Sequence, residues 1–421
     1  MVDLISLAVA RQLVRKAANT LVDLESVSLL EVLGRRLAQE CRADTPWPST
    51  DRSAMDGYGV RAGAKGLPAQ SELQIVGVCR AGHPFDGAVV EGQAVQIMTG
   101  AVVPNSVDAV VPVENTSGYA PQGEMVRIEQ SVTAGDCIRA EGSEVAQGDL
   151  LLALGTRIRA AHVGSLAVLG VDPVPVFRRP VVAILATGDE VVPIEQQPEP
   201  HQVRNSNAYA LAAQVQVAGG QALLLGISPD DEPGLRELIG GGLEKADILL
   251  TIGGVSKGTH DLVHGLLKES GVDEIFHGVA LKPGKPVFFG CRQDAPQTGV
   301  TGLPKKTYVF GLPGNPASAF TVFDLLVRPL LAWLTGDSID EGPPLIARVA
   351  GQPFRPNWRT QAVPARLTTD AAGSLVAELG SAQPSGNPFG LLHGEVFALI
   401  PPNTECGEEL SVPLAPYSDR A

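Results

Sequence analysis

The spacing of apolar and polar positions changes several times along this chain, and each change predicts a different kind of element. Residues 1–40 put Leu4, Ile5, Leu7, Ala8, Leu13 and Val14 on one broad face and charges on the other. That is the pattern of an amphipathic helix, and Pro46 and Pro48 end it. From about 50 to 137 the spacing falls to short runs such as LQIVGV (73–78) and AVVPVEN (109–115), separated by Gly and Pro. These predict a small β-rich domain. Residues 138–175 combine a polar turn, an apolar strand and a small-residue helix, and are expected to return to the first helix.

Residues 176–335 carry the clearest alternation. VVAIL (181–185), ALLLGI (222–227), DILLTI (247–252) and TYVFGL (307–312) are near-continuous apolar runs. Helical segments at 207–217, 233–245, from about 261, and at 316–334 lie between and after them. Asn205 or Ser206 can cap the first of these, and Pro316 starts the last. Buried strands alternating with helices predict a parallel sheet covered on both faces. The final stretch returns to short strands and turns, predicting a second small β domain.

Composition narrows the function classes. At 421 residues the chain has room for about three domains of roughly 150 residues. The net charge of −14 argues against a binder of nucleic acid by bulk charge. Gly (47) and Pro (33) are abundant and aromatics make up 5%, so the chain has many turns and is no coiled coil. No apolar run reaches the ~18 residues that cross a bilayer, and Asp3 and Arg11 spoil a signal peptide at the start. Cys41, Cys79, Cys137, Cys291 and Cys406 are odd in number and form no CxxC pair. Disulfides and a cysteine-bound zinc are not expected, and a reducing cytoplasm fits.

Ligands of open parallel sheets bind beyond the carboxyl ends of the strands. Four polar loops follow those ends here: Thr187-Gly188-Asp189-Glu190; Ser228 with Asp230 and Asp231; Gly253-Gly254-Val255-Ser256-Lys257-Gly258-Thr259-His260-Asp261; and Pro313-Gly314-Asn315-Pro316. Glycines let backbone N–H groups approach an anion. The carboxylates would repel a phosphorylated ligand unless a divalent cation joined them, since hard cations take carboxylate and phosphate oxygens together. Lys257, Lys282 and Lys285 add positive charge. Singly these residues describe a solvated edge; together they point to Mg²⁺-assisted phosphoryl or nucleotidyl chemistry. His260 and His264 are four apart on a presumed helix, with no third ligand at suitable spacing, and read as a helix-surface pair. There is neither a Walker A loop, nor a GxGxxG fingerprint, nor a GxSxG elbow. By themselves, Asp56 before Gly57 and Thr99 before Gly100 read as turns of the β domain.

Eight motifs taken in order resemble one family, the molybdopterin molybdenumtransferases: SAMDGYGV (53–60), VQIMTGAVVP (95–104), DAVVPVEN (108–115), ATGDEVV (186–192), NSNAYAL (205–211), TIGGVSKGTHD (251–261), LKPGKP (281–286) and GLPGNPASA (311–319). The resemblance implies an elongated multi-domain chain of α/β plus β class. Residues 1–45 with 138–175 would form a helical dimerisation domain, 46–137 a small β-rich domain, 176–335 an α/β molybdopterin-binding domain with a parallel sheet, and 336–421 a β-barrel-like domain. It implies insertion of molybdenum from molybdate into adenylated molybdopterin with release of AMP, helped by Mg²⁺. It also implies a homodimer whose site is shared between subunits, with transient contacts to other proteins of the pathway and none to nucleic acid or membrane.

Matched by motif, Glu190, Asp230 and Asp261 fall on the family's acidic site residues, which are also the candidate Mg²⁺ ligands. Asp56 and Thr99 fall on site residues supplied by the partner subunit. Gly253, Gly254, Ser256, Lys257, Gly258, Lys282, Lys285, Pro313, Gly314, Asn315, Pro316, Arg139 and Ser381 fall on substrate-binding positions. Three departures stand out. Gly278 replaces a basic residue, Lys257 replaces a small or apolar one, and the segment 380–394 keeps only the Gly380–Ser381 pair. The first two suggest that Lys257 restores the charge missing at Gly278, and the third puts a substrate contact there in question. A molybdopterin adenylyltransferase and a binding scaffold without turnover are the rival readings.

Overall fold

The computed structural model describes residues 4–21, 23–228, 231–254, 262–293, 305–336, 344–351, 353–380, 385–405 and 410–416. They form two compact units. One holds residues up to Gln39, Leu154–Arg159 and everything from Pro173; the other holds Glu40–Ala153 and Ala160–Asp172.

The centre of the first unit is a six-stranded sheet in the order Gln221–Ser228, Val181–Thr187, Ile248–Ile252, Lys306–Leu312, Phe288–Gln293, Asp273–His277. The first four strands are parallel. Side chains alternate across them, so Val182 and Ile184 face one core while Ala183 and Leu185 face another. The helices Leu7–Ala17, Ser206–Val217 and Pro316–Val322 cover the first face. Glu232–Lys245 and Leu262–Glu269 cover the second. Asn205 is the cap of its helix, accepting from the Ala208 N–H at 3.3 Å. Asp231, expected on the ligand rim, caps the next one through the Gly234 N–H.

The sheet is mixed where an all-parallel one is expected. Phe288–Gln293 runs antiparallel to both of its neighbours. A parallel return needs a crossover of about a dozen residues or more. The stretch from Gly278 to Val287 has no helix to build one and spends Leu281–Lys282 on another sheet. The predicted helix 316–334 contains a π-helical segment, Phe323–Val327, before Arg328–Leu334. Pro329 lies just beyond it, and its missing N–H cannot continue the ladder. By length and composition this helix could cross a membrane, but most of it is buried in the core.

The first helix is shorter than expected, ending at Ala17. Tertiary partners end it: Asn19 N–H donates to the Tyr308 hydroxyl at 2.8 Å and Leu21 N–H to the Leu334 carbonyl at 2.7 Å. The helix packs on Phe323–Leu334 through Leu7, Ala10 and Val14, not on 138–175. The return occurs later, where Leu24–Val27 pairs antiparallel with Val174–Phe177.

In the carboxyl-terminal part, Thr360–Thr369, Leu375–Leu379, Ile346–Gly351, Ser411–Pro416 and Val396–Ile400 pair in that order. The last pairs again with the first, closing a five-stranded ring. Closure leaves these strands no free edge, and Val349, Ala377, Ile400 and Val412 fill the interior. Leu281–Lys282 joins the ring's Thr360–Gln361 edge in parallel, tying it to the α/β part.

The second unit contains a five-stranded sheet in the order Ala109–Pro112, Gly57–Val60, Gln93–Ile97, Glu72–Cys79, Met125–Arg127. Two short ladders, Arg52–Ser53 with Ile138–Arg139 and Cys41–Arg42 with Leu150–Leu152, form separate two-stranded sheets in the same unit. The helix Ala160–Val168 completes the unit.

Candidate functional site

In the α/β part, the chain passes from Val181–Thr187 to one neighbour, Gln221–Ser228, and then to the other, Ile248–Ile252. This reversal of strand order opens a crevice between the loops after Thr187 and after Ile252. Thr187 Oγ1 donates to the Ile252 carbonyl at 3.1 Å, and Gly253 N–H to the Leu312 carbonyl at 3.0 Å. Both glycines have positive φ. A Cβ on Gly253 would lie 3.0 Å from the Thr187 carbonyl oxygen, and one on Gly254 would lie 2.6 Å from Val263 Cγ2. The Glu190 carboxylate folds back over Gly188, where an added Cβ would lie 2.6 Å from Glu190 Oε2. Asn207 Nδ2 donates to the Gly314 carbonyl at 2.7 Å. The structure therefore gathers Glu190, Gly253, Gly254, Pro313, Gly314, Asn315 and Pro316 along one sheet edge. Asp230, Ser256, Lys257, Gly258, Asp261 and Ser381 lie outside the described residues, and so does the compensation suggested for Lys257.

Beside this edge is a cavity of about 710 Å³, within the range of small-molecule sites. Its lining joins Lys282, Lys285 and Asn315 to Arg355 and Arg359, just ahead of the ring, and Gln361 within it, and holds no Asp or Glu among the described residues. Lys282 Nζ donates to Gln361 Oε1 at 3.3 Å, and Gln361 Nε2 to the Arg355 carbonyl at 3.1 Å. Arg359 donates to the Leu281 carbonyl at 3.2 Å and stacks over Trp358. Partial burial lowers the Arg359 pKa from its ordinary value. Four cations thus face a cavity that has no carboxylate among its described lining residues, in a chain of net charge −14. Ser385 and Asn387 also line it, and Asn315 Nδ2 donates to Ser385 Oγ at 3.0 Å. The segment 380–394 thus reaches the cavity despite its divergent sequence.

Gly278 has a local reason for being glycine. Its φ is +100°, and an added Cβ would lie 2.4 Å from Leu4 Cδ2. The place of the expected cation is taken by packing of the amino-terminal segment.

In the second unit, Asp56 Oδ1 accepts from Thr99 N–H at 2.7 Å and from Thr99 Oγ1 at 2.9 Å. These two bonds hold the Asp56 carboxyl below its ordinary pKa. Gly57 is required next to it, because a Cβ would lie 1.9 Å from the Val111 carbonyl oxygen. Arg52 donates to the Gly100 carbonyl at 3.1 Å and is the ladder partner of Arg139. Arg139 pairs with Glu144. Asp56, Thr99 and Arg139 thus share one exposed corner.

Comparison with known proteins gives the same picture. Residues 5–170 match the model described as MoeA N-terminal region (domain I and II), and residues 183–333 that of a probable molybdopterin binding domain. A molybdopterin molybdenumtransferase of Bacillus subtilis is 32% identical over 388 residues, 90% of this chain and 86% of the relative. One from a Nostoc species is 35% identical, over 75% of this chain and 70% of its own. The crystal structure of a molybdopterin biosynthesis MoeA protein from Pyrococcus horikoshii superposes with a TM-score of 0.81 at 26% identity, over 99% of this chain and 100% of that one.

The chain belongs to the molybdopterin molybdenumtransferase family. It is thereby an enzyme of the transferase class. In this family member the sequence motifs miss three positively charged residues. Arg355 and Arg359 lie in a stretch without a recognisable motif, and Arg52 lies just ahead of SAMDGYGV. The signal for the first two was their spacing around Trp358 immediately before a barrel strand, and it acquires meaning only when that strand receives Leu281–Lys282.

Proposed function

We propose that this enzyme inserts molybdenum from molybdate into adenylated molybdopterin, releases AMP, and uses the cationic cavity to hold the anionic parts of both substrates. The four positive side chains around the 710 Å³ cavity, beside a sheet edge rich in glycine and carboxylate, carry this reading. Molybdate and a pyrophosphate link both carry delocalised negative charge. Guanidinium groups bind such oxygens in pairs and lysines as point charges. Arg359 is half-buried and donates to two neutral acceptors, the Leu281 carbonyl and Asn357 Oδ1, so an arriving anion would give it a charged partner.

Mg²⁺ fits the other side of the crevice. Glu190 offers an exposed hard-oxygen donor beside Gly188; Asp230 and Asp261, the other two acidic residues matched by motif, lie outside the described residues. Bound there, Mg²⁺ would neutralise charge developing on the adenylate phosphorus. Glu190 would hold it, Lys282 and Lys285 would orient the phosphate oxygens, and the Gly253–Gly254 backbone would allow close approach.

The homodimer belongs to the same proposal. The helix Ala160–Val168 is apolar, buries only Leu166 and leaves Val168 62% exposed, so it is suited to cover by a second copy. In such a dimer, Asp56, Thr99 and Arg139 of one protomer would complete the partner's cleft.

Purified protein given adenylated molybdopterin, molybdate and Mg²⁺ is expected to release AMP, and chelation of Mg²⁺ to stop it. Consumption of ATP with free molybdopterin would instead mark an adenylyltransferase. Binding without AMP release would mark a scaffold.

A further inference from the structure

The outer strand of the central sheet carries a second polar cluster that the proposed reaction does not use. In a regular strand, Glu274 and His277 would point to opposite faces, since side chains alternate. Asp273–His277 is not regular. Its ladder advances from Glu274 to Phe276 while the partner strand advances only from Gly290 to Phe289. That is a β-bulge, and the extra residue brings Glu274 and His277 to the same side. Helix Leu262–Glu269 packs on that side through Val263, Leu266 and Leu267, in the core that also contains Phe288.

His264, in the first turn of the helix, is thereby set against the bulge. Its Nε2 lies 2.7 Å from Glu274 Oε2, and its ring centroid is 5.4 Å from that of His277. Both imidazoles lie edge-on to Phe288, at 5.5 and 6.1 Å. One donor atom from each of His264, Glu274 and His277 falls within 4.8 Å of the others. His264 therefore meets two further donor residues, both from a strand; His260, with which it was expected to form a helix-surface pair, lies outside the described residues.

We propose that His264, Glu274 and His277 bind a divalent transition ion of the zinc type, tying the helix Leu262–Glu269 to the edge strand. Two imidazole nitrogens and one carboxylate are the donor set of three-ligand zinc sites with an open fourth position for water. The set does not suit Mg²⁺ or Ca²⁺, which take oxygen, and it has no thiolate for Cu(I). Zinc bonds of about 2.0–2.1 Å place tetrahedral donors about 3.4 Å apart, so small side-chain rotations close the observed arrangement on an ion. Phe288 and the buried His277 form a dry floor, while His264 and Glu274 are partly exposed and give access from solvent. The ion would fasten the start of the helix that follows the Gly253–Gly254 turn. It would be a structural clamp separate from the magnesium side of the crevice.

The test uses the full chain, stripped with chelator and titrated with zinc alone by calorimetry, and with Co²⁺ followed by visible absorption. One equivalent of zinc is expected, with Co²⁺ bands of tetrahedral intensity and a raised melting temperature. Glu274→Gln, at a partly exposed position, keeps the fold and should weaken zinc at least tenfold. His264→Gln should do the same and abolish the Co²⁺ bands. No zinc binding by the parent protein, or equal affinity in parent and both variants, would overturn the proposal.

Discussion

The cationic cavity and the Asp56–Thr99 corner are both polar, yet they are assembled in opposite ways. The cavity draws Lys282 and Lys285, Arg355 and Arg359, and Ser385 from three separate stretches of the first unit. Among the described residues, none in its lining neutralises the cations with a carboxylate. The corner is a closed hydrogen-bonded circuit, in which Asp56 already receives two donors and Gly57 is locked under Val111. A site that keeps its charge for a ligand shows its losses in binding. A site already satisfied within the fold shows them in stability and pKa. This contrast can be tested by substitution.

The largest functional effect is expected in the cavity. Lys282→Ala and Arg359→Ala should each cost about 1.5–3 kcal/mol of substrate binding, roughly ten- to a hundredfold in KM or Kd. Arg359→Lys should recover only part of that, because a lysine cannot reproduce a stacked guanidinium. Melting temperature should hardly change in Lys282→Ala. Wild-type affinity in Lys282→Ala would remove the cavity from the substrate's path.

In the corner, the largest effect should be structural. Gly57→Ala drives a methyl into the Val111 carbonyl oxygen, and no flexible side chain is there to give way. A loss of more than about 3 kcal/mol is expected in chemical denaturation of the second unit's transition. Asp56→Asn, by contrast, still accepts from Thr99 through its amide oxygen, so it should melt close to the parent.

Gly278 tests whether a residue usual in the family can be installed here. Gly278→Lys restores the expected charge but places a Cβ at φ +100° against Leu4. About 1–3 kcal/mol of destabilisation is expected, with no gain in substrate affinity. Pairing it with Leu4→Ala should recover the steric part and leave the backbone strain. A Gly278→Lys protein as stable as the parent would contradict the packing explanation.

The parallel half of the sheet was legible because buried strands announce themselves as uninterrupted apolar runs and their loops as glycine. The antiparallel half was not. FFGCRQ and DEIFH are short and mixed, and their pairing follows from the absence of a crossover, which no local pattern encodes. Residues 18–40 carried enough apolar spacing to suggest a continued helix, but contacts with Tyr308 and Leu334 decided otherwise. Lys282 could be picked out by motif. Arg359 could not, because its role depends on a ring that closes through residues far apart in sequence. Asp56 and Thr99 each looked like an ordinary turn residue until the fold bonded one to the other.

That bond gives the smallest and most specific test. The Thr99 N–H is the main cause of the low Asp56 pKa and the Thr99 hydroxyl the second. A carboxyl depressed in the folded state adds stability above its ordinary value of 3.8 and loses it as pH falls through the lower folded value. Thr99→Val removes only the hydroxyl. The Asp56 titration midpoint, followed by carboxyl ¹³C shifts in aspartate-labelled protein, should rise toward 3.8 but stop short of it, because the backbone donor remains. Near neutral pH the valine variant should melt slightly below the parent, and the difference should close as pH falls through the folded-state value, where neither protein keeps the ionised acceptor. Thr99→Ser, which keeps the hydroxyl, should titrate like the parent. If the valine and serine variants titrate alike, the side-chain donor plays no part and the corner is held by its backbone alone.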